Sequence, residues 1–568
     1  MKKTLLPLQQ ALFVVTILVF ASCGVKNTGP SKEALSEINL KTGDVISCGP
    51  ADKQFGSVVF EVSGSEDVKK DFNLAIKLLH SFEYDESEKV FAKIIAAAPG
   101  CAMAYWGAAM CNYHPLWTPP LPAELKKGAA LVEIAQSIEG KTKREAGYID
   151  ALASFYKDWD KTDHRTRSIN FEKGMEKVYA ENPTDKEAAV FYALALDAAA
   201  DPADKSFSNQ KKAGAILNEL YPGEPNHPGI VHYIIHTYDY PELAALALPA
   251  ARKYAAVAPS SAHALHMPSH IFTRLGLWDD CIRSNLVSVA AAKCYATTAG
   301  IKGHWDEELH GMDYLVYAYL QKGANDLAKA QWDSLVAVTA VSPVNFKVAY
   351  AYAAIPSRYL LENKNWQEAV QLQLEPGVVP WKNFPWQAAI VHFARLMGAA
   401  HTKDIVLANT ELKNLSDLRD TLLNQKDAYK ANQVNIQATT GAAWIQFAGG
   451  NNTEALKLMN LAAEMEDKTE KHPVTPGEVI PARELLGDML LQMNKPVEAL
   501  AAYEADLQKH PNRFNALYGA GLAAEKAGNV QTAISNYTQL IAVAGKDNNK
   551  RSEMAQAKVY VEKHKYLQ

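Results

Sequence analysis

His232 and His236 stand four residues apart, and so do His266 and His270, the second pair falling 34 residues after the first. On a helix, a spacing of four puts two side chains on one face with Cβ atoms about 5–6 Å apart. Helices packed as neighbours lie about 8–10 Å apart, a gap that imidazoles reaching from both sides can close. Four rings can then converge on one point. Imidazole nitrogen, with some carboxylate, suits Zn²⁺, Fe²⁺, Ni²⁺ or Cu²⁺ and suits Mg²⁺ or Ca²⁺ poorly. The cofactor such a donor set implies is a transition metal such as zinc or iron, and zinc with three protein ligands keeps a position open for chemistry. Eight of the sixteen histidines in the chain fall between His227 and His310.

The elements that must position these residues are helices in a repeating array. Gly487, Ala499, Tyr503 and Pro511 are followed, 34 residues on, by Gly521, Ala533 and Tyr537, and the turn Met493-Asn494-Lys495 matches Ala527-Gly528-Asn529. Small residues let two helices cross closely, the aromatic fills the gap, and the proline ends the second helix. This pattern resembles the tetratricopeptide repeat (TPR). It fits residues 68–101 through Ala75, Ser87, Phe91 and Pro99, and residues 228–261 through Ile235, Ala247, Ala251 and Pro259. Looser matches put Cys281, Ala328, Ala369 and Ala455 at the small position of a second helix. Only residues 57–62 alternate like a short strand. The expected fold is all-α: an α-solenoid of TPR-like antiparallel helix pairs in a right-handed superhelix, with a short irregular N-terminal lead-in.

On the repeat template, both histidine pairs occupy the fifth and ninth positions of a first helix, which the resemblance implies face the concave groove. A repeat starting near Leu309 brings His310 and Asp313 to the same groove. The expected metal ligands are therefore His232, His236, His266, His270, His310 and Asp313. Pro268, between His266 and His270, is tolerable only in a first helical turn, so His266 falls at a helix edge. His80 and His114, themselves 34 apart, join His263, His304, Asp239 and Glu307 as further groove candidates. A lone helical histidine more often packs or hydrogen-bonds, and a histidine-lined groove could equally hold a peptide or an anionic glycan.

Markers of catalysis are sparse. The histidine pairs read His-Tyr-Ile-Ile-His and His-Met-Pro-Ser-His, without the glutamate base of the HExxH metalloproteases. Asp239, Glu307 and Glu308 could serve as a base, but no spacing singles one out. Gly-x-Ser-x-Gly, a phosphate-binding P-loop and a Gly-x-Gly-x-x-Gly after a strand are all missing from the sequence. Cys281, at a helix crossing, reads as core.

The first residues address the compartment. Lys2 and Lys3 precede an apolar run from Ala11 to Ala21, too short to span a bilayer, followed by Phe20-Ala21-Ser22-Cys23-Gly24. Cys23 after small residues resembles the lipobox of bacterial lipoproteins, which implies acylation at Cys23 and attachment to the cell envelope, at the outer membrane. The alternative is cleavage near Ala21-Ser22 and a soluble periplasmic protein. With 58 basic against 63 acidic residues and no basic stripe, nucleic acid is not an expected partner. Six cysteines are too few for a disulfide scaffold.

The expected organisation is a lipoprotein signal peptide at 1–22, a lipid-anchored tether and lead-in at 23–66, and an irregular TPR-like solenoid with the histidine-rich groove at 67–467. A polar linker at 468–481 and C-terminal TPR repeats at 482–568 complete it. Segments such as LLHSFEYDESEKVF (78–91), CAMAYWGAAM (101–110), HPGIVHYIIHTYD (227–239), HALHMPSHIFTRLGLW (263–278), HGMDYLVYAYLQ (310–321) and PARELLGDML (481–490) resemble a family of bacterial exported TPR lipoproteins. That resemblance implies architecture and location but no reaction. Two functions follow as expectations. One is a scaffold with a histidine-rich metal site on its concave face and a protein or peptide partner in its grooves; the other is a metal-dependent hydrolase or oxidoreductase using the same histidines.

Overall fold

The computed structural model describes residues 30, 32–50, 54–116, 119–374, 377–545 and 550–565. The signal segment and Cys23 lie outside the described residues. The chain is an α-solenoid of antiparallel helix pairs of the TPR type. Glu66–His80 pairs with Tyr84–Ala97, Asp306–Gln321 with Asn325–Val336, Pro385–His401 with Ile405–Asn424, and Phe514–Lys526 with Val530–Ala544.

One backbone device closes the first helix of pair after pair. Phe82, Gly276, Gly323, Lys364, Lys403, Gly450, Asn494 and Gly528 all sit in the turn between paired helices with φ between 55° and 82°. The amide after each bonds back five residues, as Leu277 N does to Phe272 O at 2.8 Å and Asn529 N to Ala524 O at 2.8 Å. This is the Schellman termination, which satisfies carbonyls that the helix end leaves open. The repeat is thus written in hydrogen bonds even where its side chains have drifted.

Pairs interlock through rings set against small residues. Tyr503 lies between Gly487 and Gly519, and a Cβ added at these two positions would stand 2.6 and 2.4 Å from its Cζ. Ser87 Oγ donates to the Ala75 carbonyl at 2.8 Å, tying the two helices of the first pair.

Residues 57–62 do not form the expected strand. Val58, Phe60 and Val62 are buried while Val59 and Glu61 are exposed, so the alternation is present. No strand lies beside it; Phe60 N donates to Asn73 Oδ1 at 2.7 Å instead. The only strand pairing among the described residues joins His304–Trp305 to Val341–Ser342, in parallel. A disulfide joins Cys48 of the lead-in to Cys294, leaving Cys101, Cys111 and Cys281 as thiols. No helix among the described residues is long and apolar enough to cross a membrane.

The segment 468–481 is not a solvated linker. Lys471, Val474, Thr475, Val479 and Ile480 are buried, and its carbonyls accept from tyrosines of the central pairs: Tyr314 to Val474 O at 3.1 Å and Tyr350 to Gly477 O at 3.3 Å. The C-terminal pairs also dock on the central ones. Arg513, fully buried, donates to Glu484 at 2.9 Å, Glu362 at 2.6 Å and Tyr317 Oη at 3.1 Å.

Replacing Gly487 with leucine should force the Tyr503 ring out of its slot. The expected loss is about 1–3 kcal/mol, read as a lower denaturant midpoint; an unchanged midpoint would mean that this ring does not hold the pairs together.

Candidate metal centre

Four helices bring the histidines together. The Pro228–Thr237 helix opens with proline at its first position and is capped by His227, whose Nδ1 accepts from Ile230 N at 3.2 Å. It carries His232 and His236. Ser261 caps the Ala262–His266 helix by accepting from Ala264 N at 3.1 Å, and that helix carries His263 and His266. Pro268 then starts a separate helix, Pro268–Arg274, with His270 in it. His310 comes from Asp306–Gln321. The break at Pro268 means that His266 and His270 do not share the face of one regular helix.

The rings gather in two sets and not at one point, and the division falls between His263 and His266. In the first, His232 Nε2 lies 2.9 Å from His236 Nε2 and 3.1 Å from His263 Nε2. In the second, His266 Nε2 lies 3.1 Å from His270 Nε2, and the His310 ring centroid is 4.3 Å from that of His266. Within each set the candidate ligand atoms all fall within 4.8 Å of one another. The rings are covered and do not line an open groove: exposure is 0% at His232, 1% at His266, 3% at His270, 6% at His310 and 9% at His236, with His263 half-buried. Phe82 supplies part of the cover, its ring centroid 4.5 Å from His232 and 5.8 Å from His263. A bulky residue at φ 57° is a costly conformation, and here it places that ring.

Hydrogen accounting fixes what the nitrogens can do. His232 Nδ1 is 2.6 Å from the His80 carbonyl oxygen, which only accepts, so Nδ1 carries the hydrogen and Nε2 of the neutral ring is a lone pair. His266 Nδ1 is 2.7 Å from Asn285 Oδ1, and the Asn285 amide is oriented by donating to Cys281 O at 2.9 Å. His270 Nδ1 is 3.1 Å from the Asp239 carboxylate. Both of these rings also turn an Nε2 lone pair inward, toward each other. Tyr314 Oη lies 3.1 Å from Val474 O and 3.3 Å from His270 Nε2, and its single hydrogen can serve only one of them, so it cannot answer both inward lone pairs. Two buried lone pairs at this distance repel unless a cation lies between them. Around an ion bound at about 2.0–2.1 Å, tetrahedral nitrogens stand roughly 3.3 Å apart, so a small opening of the rings admits one.

Electrostatics keeps the rings neutral. Burial foremost, and then the neighbouring imidazoles, holds His232, His236, His263, His266 and His310 well below the ordinary histidine range. Burial also lowers His270, against the pull of Asp239. Asp239 is saturated behind that ring: Arg274 Nε donates to it at 2.8 Å and Lys471 Nζ at 3.1 Å. Burial would raise its carboxyl, but Lys471, Arg274 and His270 outweigh burial and hold it well below the usual carboxylate range. It is a support for His270 and has no capacity left to act as a base.

A third cluster shows the contrast. His80, Glu187 and His227 also lie close enough for a shared ion, yet every nitrogen has an answer. His227 Nδ1 is used in the helix cap, so its Nε2–H donates to Glu187 Oε1 at 2.7 Å. His80 Nε2–H donates to Glu187 Oε2 at 2.8 Å, and its Nδ1 accepts from Tyr233 Oη–H at 2.9 Å. This group is a closed hydrogen-bond network in the core.

The other expected groove residues lie elsewhere. Asp313 is ion-paired with buried Arg358 and is outside both imidazole sets. His114 meets Glu124 at 3.3 Å, His304 meets Glu308 at 2.8 Å, and Glu307 pairs with Lys347. Sequence reasoning missed the parts that orient the rings: Asn285, Lys471, Tyr314 and the His80 carbonyl. His263, three residues before His266 and so one turn away, was legible from spacing alone.

No protein-family model matches the sequence, and no curated protein sequence matches it either. Solved structures give remote likenesses. The human IFIT1 dimer with m7Gppp-AAAA is 11% identical, with 85% of this chain and 96% of that chain covered and a TM-score of 0.33. The APC/C hetero-tetramer Cut9-Hcn1 is 12% identical over 88% of this chain and 96% of that one, at 0.26. The P58(IPK) TPR domain is 12% identical over 88% and 99%, at 0.19. Scores of this size carry nothing about function, and the helix-pair fold is read from this chain's own packing.

Glu187→Gln should cost about 1–3 kcal/mol by weakening two buried hydrogen bonds, seen in the denaturant midpoint, and should leave metal content unchanged. Loss of metal in that variant would move the third cluster into the binding site.

Proposed function

We propose that this chain is an exported, lipid-anchored scaffold of the bacterial envelope that holds a transition metal on buried imidazoles and takes a protein or peptide partner in its TPR grooves. The observation that carries the metal reading is the pair of lone pairs on His266 and His270, 3.1 Å apart, with both Nδ1 edges already committed to acceptors. Metal-binding histidines are held in this way, by an acceptor behind the ring that sets the tautomer and aims the other nitrogen. A donor set of imidazoles without a free carboxylate favours zinc, copper, iron or nickel. The signal-like first residues and the disulfide between Cys48 and Cys294 support an oxidising compartment outside the cytoplasm. The regular helix pairs from Ala482 onward are the segment best suited to a protein partner.

The donor count favours a second reading, a metal-dependent hydrolase or oxidoreductase. Three protein ligands per set is the number found where zinc keeps an open position, whereas structural sites close with four. A proton-carrying group also adjoins the first set. Glu83 follows Phe82 in the chain, accepts from Ser261 Oγ at 2.6 Å, and is pushed up to about 8 by burial.

Elemental analysis of the purified mature protein beside a His232→Ala/His270→Ala double variant tests the metal. Near-stoichiometric transition metal in the wild type alone, with helix content preserved in the variant, is the expected result. No metal in the wild type after loading with Zn²⁺, Fe²⁺ and Cu²⁺ would overturn it. A pH dependence follows from the lowered imidazoles. Protons compete with a metal only below a ring's own range, so metal should stay bound at pH 6, where exposed histidines begin to charge. Release between pH 7 and 6 on dialysis would mean that the ligands titrate normally.

A further inference from the structure

Taking the metal reading as its basis, we propose that the six imidazoles hold two metal ions, one on His232, His236 and His263 and one on His266, His270 and His310, which share a single small bridging ligand.

Three observations converge on a pair. The six candidate nitrogens form two groups and not one, each compact to within 4.8 Å. Each group has its own supports, so neither is a spare shell of the other: the His80 carbonyl aims His232, while Asn285 and Asp239 aim His266 and His270. The groups are also immediate neighbours. His263 and His266 stand on one turn of the Ala262–His266 helix, with Cβ atoms about 5–6 Å apart.

The charge balance indicates what must accompany the ions. All six ligands are neutral, and three of the carboxylates around them are already answered: Asp239 by Arg274 and Lys471, Asp313 by Arg358, and Glu307 by Lys347. Two divalent ions placed here carry four positive charges, of which Glu83, the carboxyl adjoining the first set, could cancel at most one, in a site where uncompensated charge is expensive. Three donors on each ion leave coordination positions unfilled. An anionic oxygen- or nitrogen-donor ligand lying between the ions meets both demands at once. The ligand class is small and anionic, with hydroxide as the member supplied by water.

The test loads chelator-treated full-length protein with Zn²⁺ and counts ions per chain by elemental analysis. Two per chain are expected in the wild type and one in each of His236→Gln and His310→Gln. One ion per chain in the wild type overturns the pair while leaving metal binding intact; none overturns both. Should either variant lose its fold by circular dichroism, the wild type alone decides through copper. Loaded with two Cu²⁺, it should give an electron paramagnetic resonance signal integrating to well below the copper present. Full integration as isolated Cu²⁺ would overturn the closeness of the two ions. Azide, a small anionic probe, should saturate its charge-transfer band at one equivalent per chain; saturation at two would overturn the shared ligand.

Discussion

The site depends on which edge of each imidazole is already spoken for. Once the His80 carbonyl takes the Nδ1 hydrogen of His232, Asn285 that of His266 and Asp239 that of His270, the remaining nitrogens have no freedom of tautomer and face inward as acceptors. The same residue type under the same burial gives a closed network at His80, Glu187 and His227, because there a carboxylate and a tyrosine hydroxyl supply what the rings lack. The difference between a core histidine and a ligand lies in the hydrogen count around it.

One of those acceptors, the His80 carbonyl, comes from 152 residues away, and another, Asp239, depends on a distant part of the chain for its own support. Asp239 follows the helix bearing His232 and His236, yet it is balanced by Lys471, 232 residues on. Lys471 is itself fixed because residues 468–481 thread into the structure and give carbonyls to Tyr314 and Tyr350. Burial pushes Lys471 down to about 8, with Asp239 opposing. Arg513 then clasps the C-terminal pairs to Glu362 and Tyr317 of the central pairs. A segment with the composition of a linker thus supplies the counter-charge behind a ligand, and the C-terminal repeats hold that region in register.

Strain is placed where it serves the same end. Most helix pairs turn on glycine, asparagine or lysine in the left-handed region, but the first pair turns on Phe82. Its ring covers His232, His236 and His263. The two sets divide within the Ala262–His266 helix, where His263 joins the first and His266 the second, and Pro268–Arg274 brings His270 back to His266.

Much of this was written in local spacing. A 34-residue period of small residues, aromatics and prolines is enough for the TPR-type solenoid, since close helix crossings admit little else, and a four-residue histidine spacing is enough to gather rings on a face. His232, His236, His266, His270 and His310 were legible for that reason. Spacing could not separate one site from two, because that turns on which neighbouring helices meet His263 and which meet His266. It could not tell that Asp313 would be taken by Arg358, or that residues 57–62, alternating like a strand, would find no strand to pair with. Nor could it show what stands behind the rings, since a backbone carbonyl at His80, the Asn285 amide oxygen and the lysine at 471 that steadies Asp239 carry no local signature. The sequence by itself determined helix pairs and a rich supply of imidazole. Only the tertiary structure decided which nitrogens point inward, because that depends on partners brought in from other helices, from 19 residues away for Asn285 to 152 for the His80 carbonyl.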